Sequence, residues 1–181
     1  MSKQNSSNRL LHVATLGKTV GLRGDMKLHI QSDFPEQFKD GATFITKGDK
    51  KVKILSINQD KSMVQIDGYM SVESAKALTN TKLFTTYEDT RENCNLNDGE
   101  FFWFDIVGCK IVEDGKVLGE VSEIERISIS DYLKIDTDSE LIEAGEVKTF
   151  LVPYVDHFVK NVDLESKTIE VQGALDILQA S

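Results

Sequence analysis

Four aromatic residues follow one another in Glu100-Phe101-Phe102-Trp103-Phe104-Asp105, which also holds the only tryptophan of the 181-residue chain. A β-strand sends alternate side chains to opposite faces, so a strand here carries rings on both faces. One face enters a core, and the other must be covered by a second element, another domain or a partner. Because the polar, turn-rich stretch 88–99 comes directly before it, we predict that these residues form the first strand of a second domain.

A chain of 181 residues with 40% hydrophobic residues can bury one good core or two small ones. No run approaches the roughly 18 apolar residues that span a bilayer, so no membrane partner is expected. Residues 1–9 lack the apolar centre of a signal peptide and predict a disordered, solvated tail. Two cysteines, Cys94 and Cys109, are too few for a disulfide framework and indicate a reducing cytoplasm. Three scattered histidines show no metal-ligand spacing, so neither metal nor cofactor is expected.

Charge is distributed unevenly along the chain. Residues 1–90 hold 13 Lys+Arg and 10 Asp+Glu, whereas residues 91–181 hold 8 and 20, within a net charge of −9. A nucleic-acid-binding protein usually presents a basic face, and only the first half offers one, weakly. The second half is expected to repel phosphate and to attract a basic protein.

The first half predicts a small β-barrel over residues 10–88. Ser71 caps a short helix that buries Val72, Ala75 and Leu78. Alternating or apolar segments bounded by turns predict six strands, with no room for a parallel sheet. These strands are Leu11–Leu16, Asp25–Ile30, Thr43–Thr46, Lys51–Ile57, Ser62–Ile66 and Lys82–Tyr87.

A glycine-rich segment joins the first two strands. Gly17, Gly21 and Gly24 suit positive φ angles or a close backbone approach at a barrel corner, and they predict a structural turn. Gly17-Lys18-Thr19 lacks the earlier glycine and the following helix of a phosphate-binding loop. Gly21-Leu22-Arg23-Gly24 matches the RNA-clamping loop of KH domains, but that loop joins two helices. Lys18, Arg23 and Lys27 are either solvated surface charges or salt-sensitive rRNA contacts.

The second half is again rich in strands. Residues 89–99 carry no apolar period and predict a linker, and residues 100–178 predict a second domain that ends in a helical turn at Ala174–Leu178. Pro153 cannot donate to a ladder, so it should lie at a sheet edge or a bulge. The further strands predicted are Val107–Val112, Val117–Ile124, Asp131–Asp136, Phe150–Val155, Val159–Leu164 and Lys167–Val171.

Three segments together resemble the ribosome maturation factor RimM family over residues 11–177. Val13–Gly24 is similar to the opening motif of the family's amino-terminal barrel. Glu100–Gly108 is similar to the start of its carboxy-terminal PRC barrel. Leu151–Val155 with Val162–Leu164 is similar to the closing strands of that barrel. The resemblance implies a mainly β fold with two small antiparallel β-barrels joined by a short linker.

The resemblance also implies a function without catalysis. RimM-like proteins bind the small-subunit ribosomal protein numbered nineteen and assist the maturation of the 30S head and 16S rRNA processing. It therefore implies a cytoplasmic, monomeric protein that meets the immature small subunit and its rRNA. Phe101, Phe102 and Trp103 are the candidate contacts to the ribosomal protein. The family usually has two tyrosines at Phe101-Phe102, so two hydroxyls are absent here.

Several questions stay open at the level of sequence. Alternation places Phe101 with Trp103 on one face and Phe102 with Phe104 on the other, and either pair could face outward. A general RNA-binding module acting through the glycine-rich turn is the alternative function, and an enzyme is a more remote one. No nucleophile or oxyanion motif accompanies the acidic residues of the second half, which are expected to form an acidic face. These are Asp105, Glu113, Asp114, Glu120, Glu123 and Glu125.

Overall fold

The structure is a computed structural model that describes residues 9–181. The chain divides into two compact units, the first ending at Asn95 and the second beginning at Leu96. The tail predicted over residues 1–9 lies outside the described residues, except for Arg9. Within residues 9–181, no helix has the length and apolar character needed to cross a membrane.

The first unit is a closed six-stranded barrel, as predicted, with strands in the order β1-β2-β5-β4-β3-β6. Every neighbouring pair of strands is antiparallel. Alternate residues such as Val52 and Ile54 point inward, and Phe38 stacks on Phe44 with ring centroids 5.0 Å apart. The strands are β1 (Leu10–Val20), β2 (Asp25–Ile30), β3 (Thr43–Thr46), β4 (Lys51–Asn58), β5 (Met63–Ile66) and β6 (Lys82–Thr86).

The glycine-rich segment corrects one prediction. Gly21 and Gly24 lie in the turn with φ angles of 70° and 80°, but Gly17 lies inside β1, which continues to Val20. The β1–β2 register shifts beside Gly17, and a Cβ there would come within 2.6 Å of His29 Nε2. A side chain at Gly17 would displace the His29 ring and press on Lys27 Cβ, 3.0 Å away, so Gly17 serves close packing against β2 while only Gly21 and Gly24 shape the turn.

Two short helices accompany the barrel. Helix α1 (Val72–Lys76) begins as predicted at Ser71, whose side chain forms a capping box with Ser74. Helix α2 (Tyr87–Asn93) was not predicted, because residues 88–99 show no apolar period and were assigned to a linker. Thr86 starts α2 by accepting a hydrogen bond from Asp89 N–H, and Thr90 Oγ1 donates to Thr86 O at 2.9 Å. The Thr86 cap satisfies one of the free N–H groups at the start of the helix.

The second unit holds one six-stranded sheet in the order β10-β9-β8-β7-β12-β11. Strands β7 and β12 are parallel, which departs from the predicted antiparallel arrangement. Strand β12 forms an antiparallel hairpin with β11 and pairs on its other side with β7. Pro153 ends the edge strand β10, as predicted. The strands are β7 (Lys110–Glu113), β8 (Lys116–Ile127), β9 (Ser130–Thr137), β10 (Thr149–Pro153), β11 (Val159–Asp163) and β12 (Thr168–Val171).

The aromatic stretch is not a strand, and that prediction was wrong. Residues 100–102 are irregular, and helix α3 (Trp103–Ile106) follows as a single turn. Phe102 and Ile106 are four residues apart and are 8% and 0% exposed. An i, i+4 pair shares one face of a strand as well as one face of a helix, so this burial does not select the helix. The backbone hydrogen bonds do, because Val107 N–H donates to Trp103 O at 3.0 Å and closes a helical turn.

Two further helices complete the second unit. Helix α4 (Ser139–Glu143) starts at Asp138, whose side chain accepts from Glu140 N–H, and it was not predicted. Helix α5 (Ala174–Ala180) confirms the predicted helical turn at the carboxy-terminal end. The β8–β9 hairpin, whose sequence lacks glycine, turns at Ser128-Ile129 with Ser128 at a φ of 59°.

Candidate functional site

Aromatic rings at and before α3 take part in two ring pairs. The Trp103 ring meets Tyr154 edge to face, with centroids 5.2 Å apart and planes at 84°. The Phe102 and Phe104 rings are stacked, with centroids 5.0 Å apart and planes at 8°. Both geometries are favourable for aromatic pairs. Trp103 and Phe104 lie on α3 and Phe102 directly before it, so one helical turn holds three of the four rings.

Exposure distinguishes Phe101 from Phe102, two phenylalanines that are equivalent in the sequence pattern. Phe102 is only 8% exposed. Phe101 is half-buried and packs at the margin of the second core together with Trp103. Of the three candidate contacts to a ribosomal protein, Phe101 and Trp103 therefore keep part of their surface accessible, and Phe102 is buried.

Phe101 forms one wall of a cleft of about 280 Å³ in the second unit. Strands β10 and β11 are the two edge strands of the sheet. Tyr154 directly follows β10, so the cleft lies beside both edges. Its volume suits one large side chain of a partner. Its lining residues are Gly99, Phe101, Tyr154, Val155, Asp156, Val159, Lys160, Asn161 and Val162.

Charged groups lie at the rim of this cleft. Lys160 Nζ donates a hydrogen bond to the backbone carbonyl of Asp156 at 3.0 Å. Burial raises the pKa of the Tyr154 hydroxyl, and the nearby Asp156 carboxylate raises it further. Tyr154 is therefore a neutral phenol at physiological pH, with an apolar ring and a polar tip. Neither Tyr154 nor Lys160 was predicted as a site residue, because no sequence pattern indicates that the folded chain brings them to Phe101.

Glu113, Glu123 and Glu125 of the proposed acidic face make contacts within the second unit, whereas Asp114 and Glu120 are exposed. Glu113 accepts hydrogen bonds from the backbone N–H groups of Gly173 and Leu175 at the start of α5. Glu125 and Glu123 pair with Lys134 at 2.8 and 3.5 Å. Within residues 9–181, no group of three or more His, Cys, Asp or Glu side chains is arranged to hold a metal.

Both cysteines are buried and free. Burial, followed by the charge of Glu36, raises the pKa of Cys94 to about 11. Burial also raises the pKa of Cys109. Because only the thiolate is nucleophilic, neither residue is suited to covalent catalysis near neutral pH.

The basic candidates of the first unit share the β1–β2 hairpin. Lys18 in β1, Arg23 in the turn and Lys27 in β2 are all exposed. Lys27 Nζ donates to Lys61 O at 3.0 Å. Leu22, at the tip of the same turn, is 90% exposed. The hairpin thus presents three cations around an exposed apolar tip.

These features define a two-domain β protein whose second domain carries an aromatic surface cleft. Residues 11–90 match the family model described as the RimM N-terminal domain, and residues 103–177 match the RimM PRC barrel domain. The chain belongs to the ribosome maturation factor RimM family.

Full-length relatives support this assignment. Ribosome maturation factor RimM of Sulfurimonas denitrificans is 52% identical over 181 residues, covering 100% of both chains. That of Aliarcobacter butzleri is 48% identical over 177 residues, covering 97% of this chain and 99% of the relative. A solved Pseudomonas aeruginosa chain described as a 16S ribosomal RNA processing protein RimM has 15% identity and a TM-score of 0.38, covering 93% of this chain and 99% of that one. A similarity this loose adds nothing to the assignment.

Proposed function

We propose that this protein is a non-enzymatic assembly factor of the small ribosomal subunit. Its second domain binds a basic protein of the subunit head, the ribosomal protein numbered nineteen, and thereby assists 30S maturation and 16S rRNA processing. Family membership supports the role in ribosome maturation. The observation that carries the binding proposal is the partly exposed Phe101 ring at the wall of the cleft.

Charge supports a basic protein as the partner. Residues 91–181 hold 20 acidic and 8 basic residues, a balance that attracts cationic proteins and repels the phosphates of RNA. Ribosomal proteins are in general basic. Aromatic side chains in partly enclosed positions dominate the energetics of many interfaces, so Phe101 with Trp103 is the expected centre of the contact.

Catalysis is not part of the proposal. The buried cysteines have raised pKa values, and Glu113, Glu123 and Glu125 make structural contacts. A general base or nucleophile needs an accessible group placed beside a reacting atom. The cleft provides aromatic rings, one carboxylate and one ammonium. These groups suit noncovalent binding of a partner.

The first domain supplies a second, weaker contact in this proposal. Lys18, Arg23 and Lys27 are exposed on one hairpin and are suited to rRNA phosphates. Such contacts position the protein without reading sequence. The protein acts in the cytoplasm, as a monomer that leaves the subunit when assembly is complete.

Sedimentation of a cell lysate tests this function. The tagged protein is expected to co-sediment with free small subunits and to be absent from finished ribosomes and polysomes. Accumulation of 16S rRNA precursors is expected in cells that lack the protein. A tagged protein that remains at the top of the gradient, in cells with normally processed rRNA, contradicts the proposal.

A further inference from the structure

The cleft beside Phe101 combines two aromatic rings with one carboxylate and one ammonium. Phe101 and Tyr154 supply the rings, and Asp156 and Lys160 supply the charges. This combination is unusual for a simple apolar pocket. A purely aliphatic or aromatic ligand needs no carboxylate, and desolvating a carboxylate without a partner costs free energy.

The Asp156 carboxylate is available for a ligand. Asp156 is exposed, and within residues 9–181 no cationic side chain pairs with its carboxylate. Lys160 Nζ bonds instead to the backbone carbonyl of the same residue, at 3.0 Å. The carboxylate still acts on the cleft, since its charge contributes to the raised pKa of Tyr154.

The chemistry of the lining favours one kind of side chain. A guanidinium group is planar and weakly hydrated, so it stacks on aromatic rings and forms paired hydrogen bonds with a carboxylate. A lysine ammonium is more strongly hydrated and offers no planar face. An acidic side chain is repelled by Asp156 and by the negative faces of the rings. A volume of about 280 Å³ admits one long side chain but no helix or strand.

We propose that the cleft binds a single arginine side chain of the basic partner. Its guanidinium stacks against Phe101 and Tyr154 and pairs with the Asp156 carboxylate. Lys160 carries a like charge at the rim, so it opposes entry and moves off the Asp156 carbonyl when arginine binds. This inference rests on the proposed function for the identity of the partner, but not for the chemistry of the cleft.

Two variants that remove opposite charges from the same rim test the proposal. Titration of the full chain with the ribosomal protein should show about tenfold weaker binding for Asp156→Asn, because a charge-assisted contact is lost. Lys160→Gln should bind more tightly than the wild type. Equal affinities for all three proteins indicate an apolar ligand and overturn the proposal, and a reversed order of affinities indicates an acidic ligand and overturns it too.

A second titration separates this inference from the proposed function. The peptides acetyl-Gly-Arg-Gly-amide and acetyl-Gly-Lys-Gly-amide are added to the full chain, and the ring resonances of Phe101 and Tyr154 are followed by NMR. The arginine peptide should shift them, and it should lose this effect in Asp156→Asn; equal effects of both peptides, or none, contradict the inference. If the arginine peptide binds while the ribosomal protein does not, the cleft assignment stands and the proposed partner is wrong.

Discussion

The carboxylate of Glu113 accepts a hydrogen bond from the backbone N–H of Leu175 at 2.7 Å, across 62 positions of the chain. Its second oxygen accepts from the backbone N–H of Gly173, the residue before α5. The first N–H groups of a helix have no partner within the helix, and a carboxylate there also meets the positive end of the helix dipole. One half-buried side chain at the end of β7 thus caps the last helix and fixes it to the sheet.

Loss of this cap should destabilise the second domain. We expect Glu113→Gln to lower its free energy of unfolding by about 1–2 kcal/mol, because a neutral amide replaces the carboxylate acceptor. Urea unfolding followed by fluorescence of Trp103, the only tryptophan, measures this change. The adjacent, exposed Asp114→Asn serves as control and should change stability by less than about 0.5 kcal/mol. Equal stabilities of the two variants exclude a capping role for Glu113.

The turn glycines should differ in their tolerance of a side chain. Both Gly21 and Gly24 have positive φ, so alanine costs about 1 kcal/mol at either position. A Cβ at Gly24 would also lie 2.5 Å from Tyr69 O, whereas a Cβ at Gly21 meets open space. Gly24→Ala should therefore destabilise the barrel by about 1–3 kcal/mol more than Gly21→Ala. Hydrogen exchange of the β1 and β2 amides reports the difference, and equal exchange rates in the two variants refute the steric argument.

Cys94 should react slowly while the protein is folded. Its pKa is raised to about 11, so at pH 8 its thiolate fraction is about a hundredfold below that of an ordinary thiol. Alkylation by iodoacetamide at pH 8, followed by mass spectrometry of the Cys94 peptide, should be at least that much slower than in urea-unfolded protein. Because the pKa of Cys94 is raised, the rate of its alkylation should keep rising as the pH increases toward 11. Rapid labelling of native Cys94 at pH 8 is incompatible with its burial.

Phosphate contacts by the β1–β2 hairpin should depend on salt. Replacing Lys18, Arg23 and Lys27 together by glutamine should weaken association with immature small subunits. The slope of the logarithm of the binding constant against the logarithm of the salt concentration should also fall in magnitude by up to about 2. Each contact to single-stranded RNA contributes roughly 0.7 to that slope. The triple variant of Lys39, Lys51 and Lys53, which are exposed elsewhere on the barrel, matches the charge change and should bind normally. If both triple variants lose affinity equally, the effect is one of net charge.

Much of the fold was predictable from local patterns, because alternation and turn residues mark each strand. The strand pattern placed all six strands of the first domain and the sheet strands of the second within a few residues, and Ser71 marked the start of α1. Helices α2 and α4 show no apolar period that would reveal them in the sequence. Side-chain caps at Thr86 and Asp138 mark where they start. Helix α3 is concealed because four consecutive rings satisfy a strand pattern, whereas the folded backbone closes a helical turn in which Val107 N–H donates to Trp103 O at 3.0 Å.

The candidate site was only partly predictable for a related reason. Phe101 and Trp103 stand out by their chemistry, and their place at a domain start follows from the polar segment before them. Their partners Tyr154 and Asp156 in the loop after β10, and Lys160 in β11, lie more than 50 positions away, and only the folded chain brings them to Phe101.

The most direct test is the affinity of the full chain for the small-subunit ribosomal protein numbered nineteen, measured by calorimetry for the wild type, Phe101→Ala and Phe101→Tyr. Phe101→Ala should bind about 30-fold more weakly, a loss of about 2 kcal/mol, because it removes the ring that forms the cleft wall. Phe101→Tyr keeps the ring and should bind like the wild type. Both variants should remain folded, with a lower urea midpoint for Phe101→Ala because its ring packs against the second core. Undiminished binding by a folded Phe101→Ala protein contradicts the account.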